Sequence, residues 1–178
     1  MHRLVLAFIL ILVIAPLSAA DDLVGYKVPD GFLLKIGVPL PSVELHGLDN
    51  RPHNTSEFKG KPTVVSFFTS YCHPCIKEIP ALNQFMAQHP EFRVVAISPD
   101  GVETSTAIQK KHGLKWPVLA NAESTLNSWG VLSFPSFVLL DANGVLVSAT
   151  YGNRLSDGDG YATSAGIARW VKSVLPKT

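Results

Sequence analysis

Cysteine is almost absent from this chain of 178 residues, which has only Cys72 and Cys75. That scarcity excludes a scaffold held by several disulfides, because the stabilisation from a bridge grows with the loop it closes and these two residues close almost none. It also argues against a structural zinc site, since the second Cys-x-x-Cys or Cys/His pair is missing and the six histidines show no paired spacing. Charge of one sign is lacking as well. Fifteen Lys and Arg against fourteen Asp and Glu leave a formal net charge of +1 with no basic run, which speaks against a nucleic-acid or anionic-membrane surface. Internal repeats and low-complexity linkers are missing too, and at this length one folding unit with a full core is expected.

What is present begins with "MHRLVLAFILILVIAPLSAA", residues 1–20. A positive start at Arg3, an apolar run from Leu4 to Ile14, Pro16, and small Ser18 and Ala20 before a cut read as an export signal. An uncleaved membrane anchor is the alternative, although the apolar run is shorter than the roughly 20 residues a spanning helix needs. On either reading the body works outside the cytoplasm, in a periplasmic or otherwise extracytoplasmic compartment. Residues 21–36 have little periodicity and are read as an N-terminal arm, ahead of a domain over 37–178.

Along the body, Pro39 and Pro41 suit an extended edge segment, and "GLDN" suits a turn between two short strands. "TVVSFF", residues 63–68, has the β-branched and aromatic character of a buried central strand, and "FRVVAIS", 92–98, that of a second. Between them Ile76, Ile79, Leu82, Phe85 and Met86 recur at helical spacing from His73 onward, with Pro80 expected to kink the run. "VETSTAIQKKHGL" predicts a helix closed by Gly113, and "AESTLNSWGV" one closed by Gly130. "SFVLLDANGVLVSATYG" predicts a hairpin around "DANG", and Ala165, Ile167, Ala168, Trp170, Val171 and Val174 mark a last amphipathic helix. Together these elements predict an α/β sandwich with a mixed sheet.

The two cysteines stand where the first buried strand meets the first helix, in "SYCHPCIKE". Free backbone N–H groups and the positive end of the helix dipole favour an anion there, so Cys72 is the expected nucleophile. Cys75, one turn in, is the expected resolving thiol. A protonated His73 would strengthen the bias toward thiolate, and Pro74 stiffens the first turn without costing a hydrogen bond. A single copper ion held by both cysteines and a distant histidine is a rival use of the pair. His46 and His53 form the nearest thing to a histidine cluster and are read as solvated loop residues. "DGDG" at 157–160 is read as a polar turn, since a calcium loop needs more ligands at fixed spacing.

The pieces "GVPLPSVEL", "FKGKPTVVSFF", "CHPCIKEIPAL", "HGLKWPVL" and "GVLSFPSFVLLDANGVLV", in this order, resemble the TlpA/ResA-like group of extracytoplasmic thiol-disulfide oxidoreductases in the thioredoxin superfamily. The resemblance covers about residues 37–175. It implies a thioredoxin-like three-layer sandwich with a central mixed sheet and an inserted strand-helix element over roughly residues 90–120. It implies that Pro135 is the cis-proline opposite the dithiol, with the peptide before it, from Phe134, pairing with a partner's backbone. It places Glu78 at the group's acidic position, where a partly buried carboxylate takes or returns the proton of Cys75. The sequence departs from the group at Tyr71 and Phe68, which replace tryptophans but keep an aromatic wall beside the cysteines. Ser66 stands where cytoplasmic thioredoxins carry a buried Asp, and Ser133 where the group often has Gly.

The function these residues imply is exchange of the Cys72–Cys75 dithiol with cysteine pairs of exported proteins. A reductant recharged by a membrane electron donor is expected, with cytochrome c maturation or copper-site assembly as typical tasks of the group. No cofactor and no resident metal are expected. The His-Pro pair leaves an oxidising role open, since a histidine in this loop can stabilise the reduced thiolate. A peroxiredoxin, for which Thr69 stands three residues before Cys72 as required, and a copper chaperone are the other classes considered.

Overall fold

The computed structural model describes residues 26–175. The leader expected over 1–20, and the arm as far as residue 25, lie outside the described residues. Seven strands form one sheet: β1 (Glu44–Gly47), β2 (Pro52–Asn54), β3 (Thr63–Phe67), β4 (Arg93–Ile97), β5 (Val118–Ala120), β6 (Ser136–Leu140) and β7 (Leu146–Tyr151). Helices α1 (His73–Gln88), α2 (Val102–His112), α3 (Glu123–Ser128) and α4 (Ser164–Val174) alternate with them. The sheet order is β2-β1-β5-β4-β3-β6-β7. β3 runs parallel to β4 and β4 to β5, whereas β6 pairs antiparallel with β3 and β7 with β6. This is the mixed-sheet sandwich the sequence predicts.

Each face of the sheet carries its own core. Every residue of β3 is buried, as a strand covered on both sides requires. Val64 faces α1 and α4, where Ile79, Leu82, Phe85, Ile167 and Trp170 pack. Val65 and Phe67 face the other layer, with Leu126, Trp129, Val138 and Leu140. At roughly 1.5–3 kcal/mol per fully buried large apolar side chain, these layers carry the fold and hold the end of β3 fixed. Trp170 also donates its indole N–H to Ser148 Oγ at 2.9 Å, so its polar atom is not stranded.

Local chemistry explains the boundaries. Gly113 ends α2 at φ 66°, beyond a last turn with Lys110, Lys111 and His112 against the negative end of the dipole. In "DANG", Asp141 Oδ1 accepts from the N–H groups of Asn143 and Val145 and closes the β6–β7 turn. Thr163 caps α4 by accepting from Gly166 N–H.

The structure refines some expectations. Pro80, where a kink is expected, lies inside α1, which continues through it to Gln88 with the proline on the exposed side, at the loss of one backbone hydrogen bond. His46 and His53 lie on β1 and β2 rather than on a loop. Ala165 is exposed, and Gly166 takes the buried place because a Cβ there would meet Leu155 O at 1.8 Å. Residues 90–120 contain β4, α2 and β5, of which β5 carries the sheet on to β1.

The arm from Tyr26 onward is tied down. Leu33 donates to Trp129 O at 2.9 Å, Asp30 N–H to the Tyr151 hydroxyl at 2.8 Å, and Tyr26 stacks at a tilt on Trp170. Among the described residues no helix is long and apolar enough to cross a membrane.

Candidate active site

β3 and β6 meet at their functional ends. Because Phe67 pairs with Ser136, the chain leaving β3 toward the cysteines runs beside the chain entering β6 from Phe134 and Pro135. Phe68, buried just past β3, packs in the same cluster as both cysteines. Cys72 is the N-cap of α1, and Pro74 occupies the first turn, where no intrahelical N–H is needed. Cys75 N–H points at Cys72 Sγ at 3.2 Å. An N–H aimed at that sulfur, at the positive end of a sixteen-residue helix, favours negative charge there.

The two sulfurs are joined in a disulfide. Both residues are largely covered, Cys72 at 9 % and Cys75 at 4 % exposure, while Tyr71 beside them is 79 % exposed. His73 and Pro74 are exposed on the loop between the cysteines. Phe134 and Pro135 are half-buried and joined by a cis peptide bond, the geometry implied for Pro135. Ser133, the next residue out, is exposed, and its carbonyl accepts from Ser136 Oγ at 2.9 Å.

Glu78 lies three residues after Cys75 on α1, hence on the same side of the helix. It is 1 % exposed. Its Oε1 accepts from Ala162 N–H at 2.9 Å, and its Oε2 has no partner. Burial pushes its carboxyl up to about 7, the nearby Asp159 adding to the effect and the Ala162 N–H opposing it. An acid with one unsatisfied oxygen in an apolar setting is close to half ionised at neutral pH, the condition for both taking and returning a proton.

Gly152 shapes the space around that carboxyl. A Cβ built there would stand 2.3 Å from Glu78 Oε1 and 2.7 Å from Pro135 Cγ, so the backbone of residue 152 is wedged between the acid and the proline. Its N–H donates to Pro135 O at 3.1 Å. Glu78, Gly152 and Pro135 therefore form one contact group beneath the dithiol end. Sequence pattern does not reveal Gly152 and Ala162, because they lie 74 and 84 positions from Glu78 and no local pattern marks them.

Thr69, the residue a peroxiredoxin would need near its cysteine, donates its hydroxyl to Asp100 Oδ1 at 3.2 Å. Asp100, also missed, sits just past β4. Among the described residues no group of three or more His, Cys, Asp or Glu is placed to hold a metal ion. His46 is exposed on β1, and His53 stands between Asp49 and Glu57 at 3.7 and 3.3 Å.

The AhpC/TSA family profile matches residues 36–149. The thiol-disulfide oxidoreductase ResA of Bacillus cereus (strain ATCC 10987 / NRS 248) is 28 % identical over 184 residues, an alignment spanning 98 % of this chain and 98 % of that protein. Among solved structures, a secreted Mycobacterium tuberculosis disulfide oxidoreductase homologous to E. coli DsbE superposes with a TM-score of 0.62 at 22 % identity, covering 74 % of this chain and 95 % of that one. A thioredoxin-family thiol:disulfide interchange protein from Chlorobium tepidum TLS superposes with a TM-score of 0.64 at 24 % identity, covering 80 % of this chain and 99 % of that one.

Proposed function

This chain belongs to the AhpC/TSA family and is a thiol-disulfide oxidoreductase of thioredoxin-like fold; on that premise we propose that it reduces disulfides of exported proteins through Cys72 and Cys75. The observation that carries the exchange chemistry is Glu78, a buried carboxyl pushed up to about 7 within one helical turn of Cys75; the reducing direction is the one the TlpA/ResA-like resemblance implies.

In the proposed cycle the protein starts as a dithiol. Cys72, as thiolate at the N-terminus of α1, attacks one sulfur of a client disulfide; a mixed disulfide forms and the client's other sulfur leaves as thiolate, which takes a proton from water. Cys75 then gives its proton to the Glu78 carboxylate and attacks Cys72 Sγ. The second client sulfur leaves and is protonated, and the protein is left with the Cys72–Cys75 disulfide seen here. Two electrons have passed to the client. A dithiol donor at the membrane restores the starting state by the reverse exchange, and Glu78 returns its proton to Cys75.

The buried Glu78 carboxylate suits this cycle. Its negative charge disfavours a thiolate beside it, so Cys75 stays a protonated thiol until the mixed disulfide has formed. Tyr71, Phe134 and Pro135 form the surface on which the client strand lies, the peptide before Pro135 offering backbone groups for β-type pairing. His73 and Pro74 set how strongly the Cys72 thiolate is favoured. The leader expected over 1–20 and the likeness to a secreted disulfide oxidoreductase support a setting outside the cytoplasm. Cytochrome c maturation or copper-protein assembly is the proposed setting.

The test replaces Cys75 with Ala, traps mixed disulfides in the native compartment and identifies what is attached to Cys72. Cytochrome or copper-protein thiols are the expected adducts. A broad set of newly exported proteins would assign an oxidant instead, and a trap that captures nothing would overturn exchange itself.

A further inference from the structure

The loop between β3 and α1 carries the nucleophile, and Asp100, just past β4, fastens it. Its carboxylate accepts from Ser70 N–H at 2.6 Å, Thr69 Oγ1 at 3.2 Å, Ser70 Oγ at 3.3 Å and Ser98 Oγ at 3.1 Å. Its own N–H donates to Ser98 Oγ at 3.2 Å, and its carbonyl accepts from Asn121 N–H just past β5 at 2.8 Å. One residue thereby joins the ends of three adjacent strands, β3, β4 and β5. The clamped segment passes directly to the nucleophile, because the carbonyl of Thr69 accepts the N–H of Cys72 at 3.1 Å.

We propose that Asp100 is a positioning residue for the dithiol: by holding Thr69 and Ser70 it sets where Cys72 Sγ stands at the N-terminus of α1 in the reduced protein. A carboxylate with four donors is well suited to this, since hydrogen bonds to a charged acceptor are short and strong. The geometry matters most when the disulfide is open. While Cys72 is bonded to Cys75 the helix itself holds it; once reduced, Cys72 is an N-cap whose approach to the helix N–H groups depends on the loop. Those N–H groups stabilise its thiolate only at short range. His73 beside it and Glu78 below are the titratable groups on the same helix end, and neither contacts the clamp.

The inference rests on the dithiol-exchange reading. It is tested by Asp100→Ala and Asp100→Asn in the full chain, reading thiolate absorbance of the reduced protein against pH and the rate of disulfide exchange. Asp100→Ala is expected to raise the titration midpoint of Cys72 and to slow exchange by about tenfold or more. Asp100→Asn keeps an acceptor for Ser70 N–H and is expected to restore most of the rate. A folded Asp100→Ala protein with unmoved titration and rate overturns the clamp, as does Asp100→Asn behaving like Asp100→Ala, since charge rather than positioning would then be at work. Should Asp100→Ala fail to fold, the pair Thr69→Val and Ser98→Ala removes two donors instead; an upward shift supports the clamp and no shift overturns it. Wild-type protein that cannot reduce a disulfide sinks the exchange reading, whereas wild-type turnover with an unmoved variant sinks only the clamp.

Discussion

Glu57 and Glu78 are the same side chain in opposite circumstances. Glu57 sits in the short 3₁₀ helix that follows β2, exposed, its Oε1 accepting from Asn54 N–H at 2.9 Å in a reciprocal capping box and its Oε2 3.3 Å from His53. Those partners hold its carboxyl below the usual carboxylate range, the Asn54 N–H first. Glu78 has one N–H, no cation and no water-facing surface, and is pushed up to about 7. One end of the molecule satisfies its acid and gains stability; the other leaves its acid short of partners and gains a group that can change charge. A carboxyl perturbed by burial beside the dithiol is the kind of group the proposed exchange uses.

The largest expected contrast comes from the sulfurs. Cys72→Ser should abolish disulfide reduction altogether, while leaving the fold intact, because the bridge closes a loop of only three residues' separation. Insulin-disulfide reduction and a thermal melt read the two halves of that statement. Glu78→Gln comes next. With the proton acceptor gone, exchange should slow by about 10²-fold near neutral pH, the general-base range, and the rise of rate with pH around 7 should disappear. Stability should move the other way. A raised folded-state pKa means the native protein binds the proton more tightly than the unfolded chain. Its contribution is therefore full below the unfolded value near 4.5 and is lost as pH rises through about 7. At pH 8 the wild type bears a cost of up to about 3 kcal/mol that the amide avoids. Urea melts at pH 5 and pH 8 check this: the variant should gain on the wild type only at the higher pH, and a pH-independent difference would remove Glu78 from the account.

Much of this asymmetry was legible in the sequence, and the part that was not has a common cause. The β-branched run at 63–67, the helical spacing from Ile76 to Met86 and the strand-to-helix position of Cys72 are short-range patterns, so they placed the dithiol on a helix tip directly. Glu78 was marked by the family resemblance, which implies an acidic residue three positions after Cys75. The tight approach of Gly152 to Glu78, the Ala162 N–H and the Asp100 clamp were not legible, because each joins residues 30 or more positions apart. Composition and periodicity describe one element at a time, whereas these contacts exist only after the sheet order is set. Thr69 was visible for its spacing from Cys72 but not for its partner, and the partner decides its use.

Gly152 offers a subtler way to disturb the same end. Its backbone is ordinary in φ, so the argument is purely one of space: an added Cβ would stand 2.3 Å from Glu78 Oε1 and 2.7 Å from Pro135 Cγ. Gly152→Ala should destabilise by roughly 1–3 kcal/mol, the usual range for overpacking, and should shift the pH dependence of exchange, because the acid must move. Gly101, where a Cβ meets only Asn121 Oδ1 at 3.5 Å, is the control and should tolerate alanine. Denaturant midpoints for both variants, with a pH–rate profile for the first, test the pair. Equal midpoints would mean the loop around Gly152 gives way freely and does not confine Glu78.

The smallest effect belongs to Glu57, and it should have the opposite sign in pH. Glu57→Gln keeps the reciprocal acceptor that the capping box needs, since Gln serves there as Glu does, and removes only the charge facing His53. A lowered folded-state pKa contributes stability above the unfolded value near 4.5 and loses it as pH falls below that value. The variant should therefore melt slightly below the wild type at neutral pH and converge with it in acid, with a gap that narrows as salt is added, because the carboxylate is exposed. Disulfide exchange should be untouched. An exchange defect in Glu57→Gln would mean that the two ends of the sheet are coupled, and the division between an acid that stabilises and an acid that reacts would no longer describe this molecule.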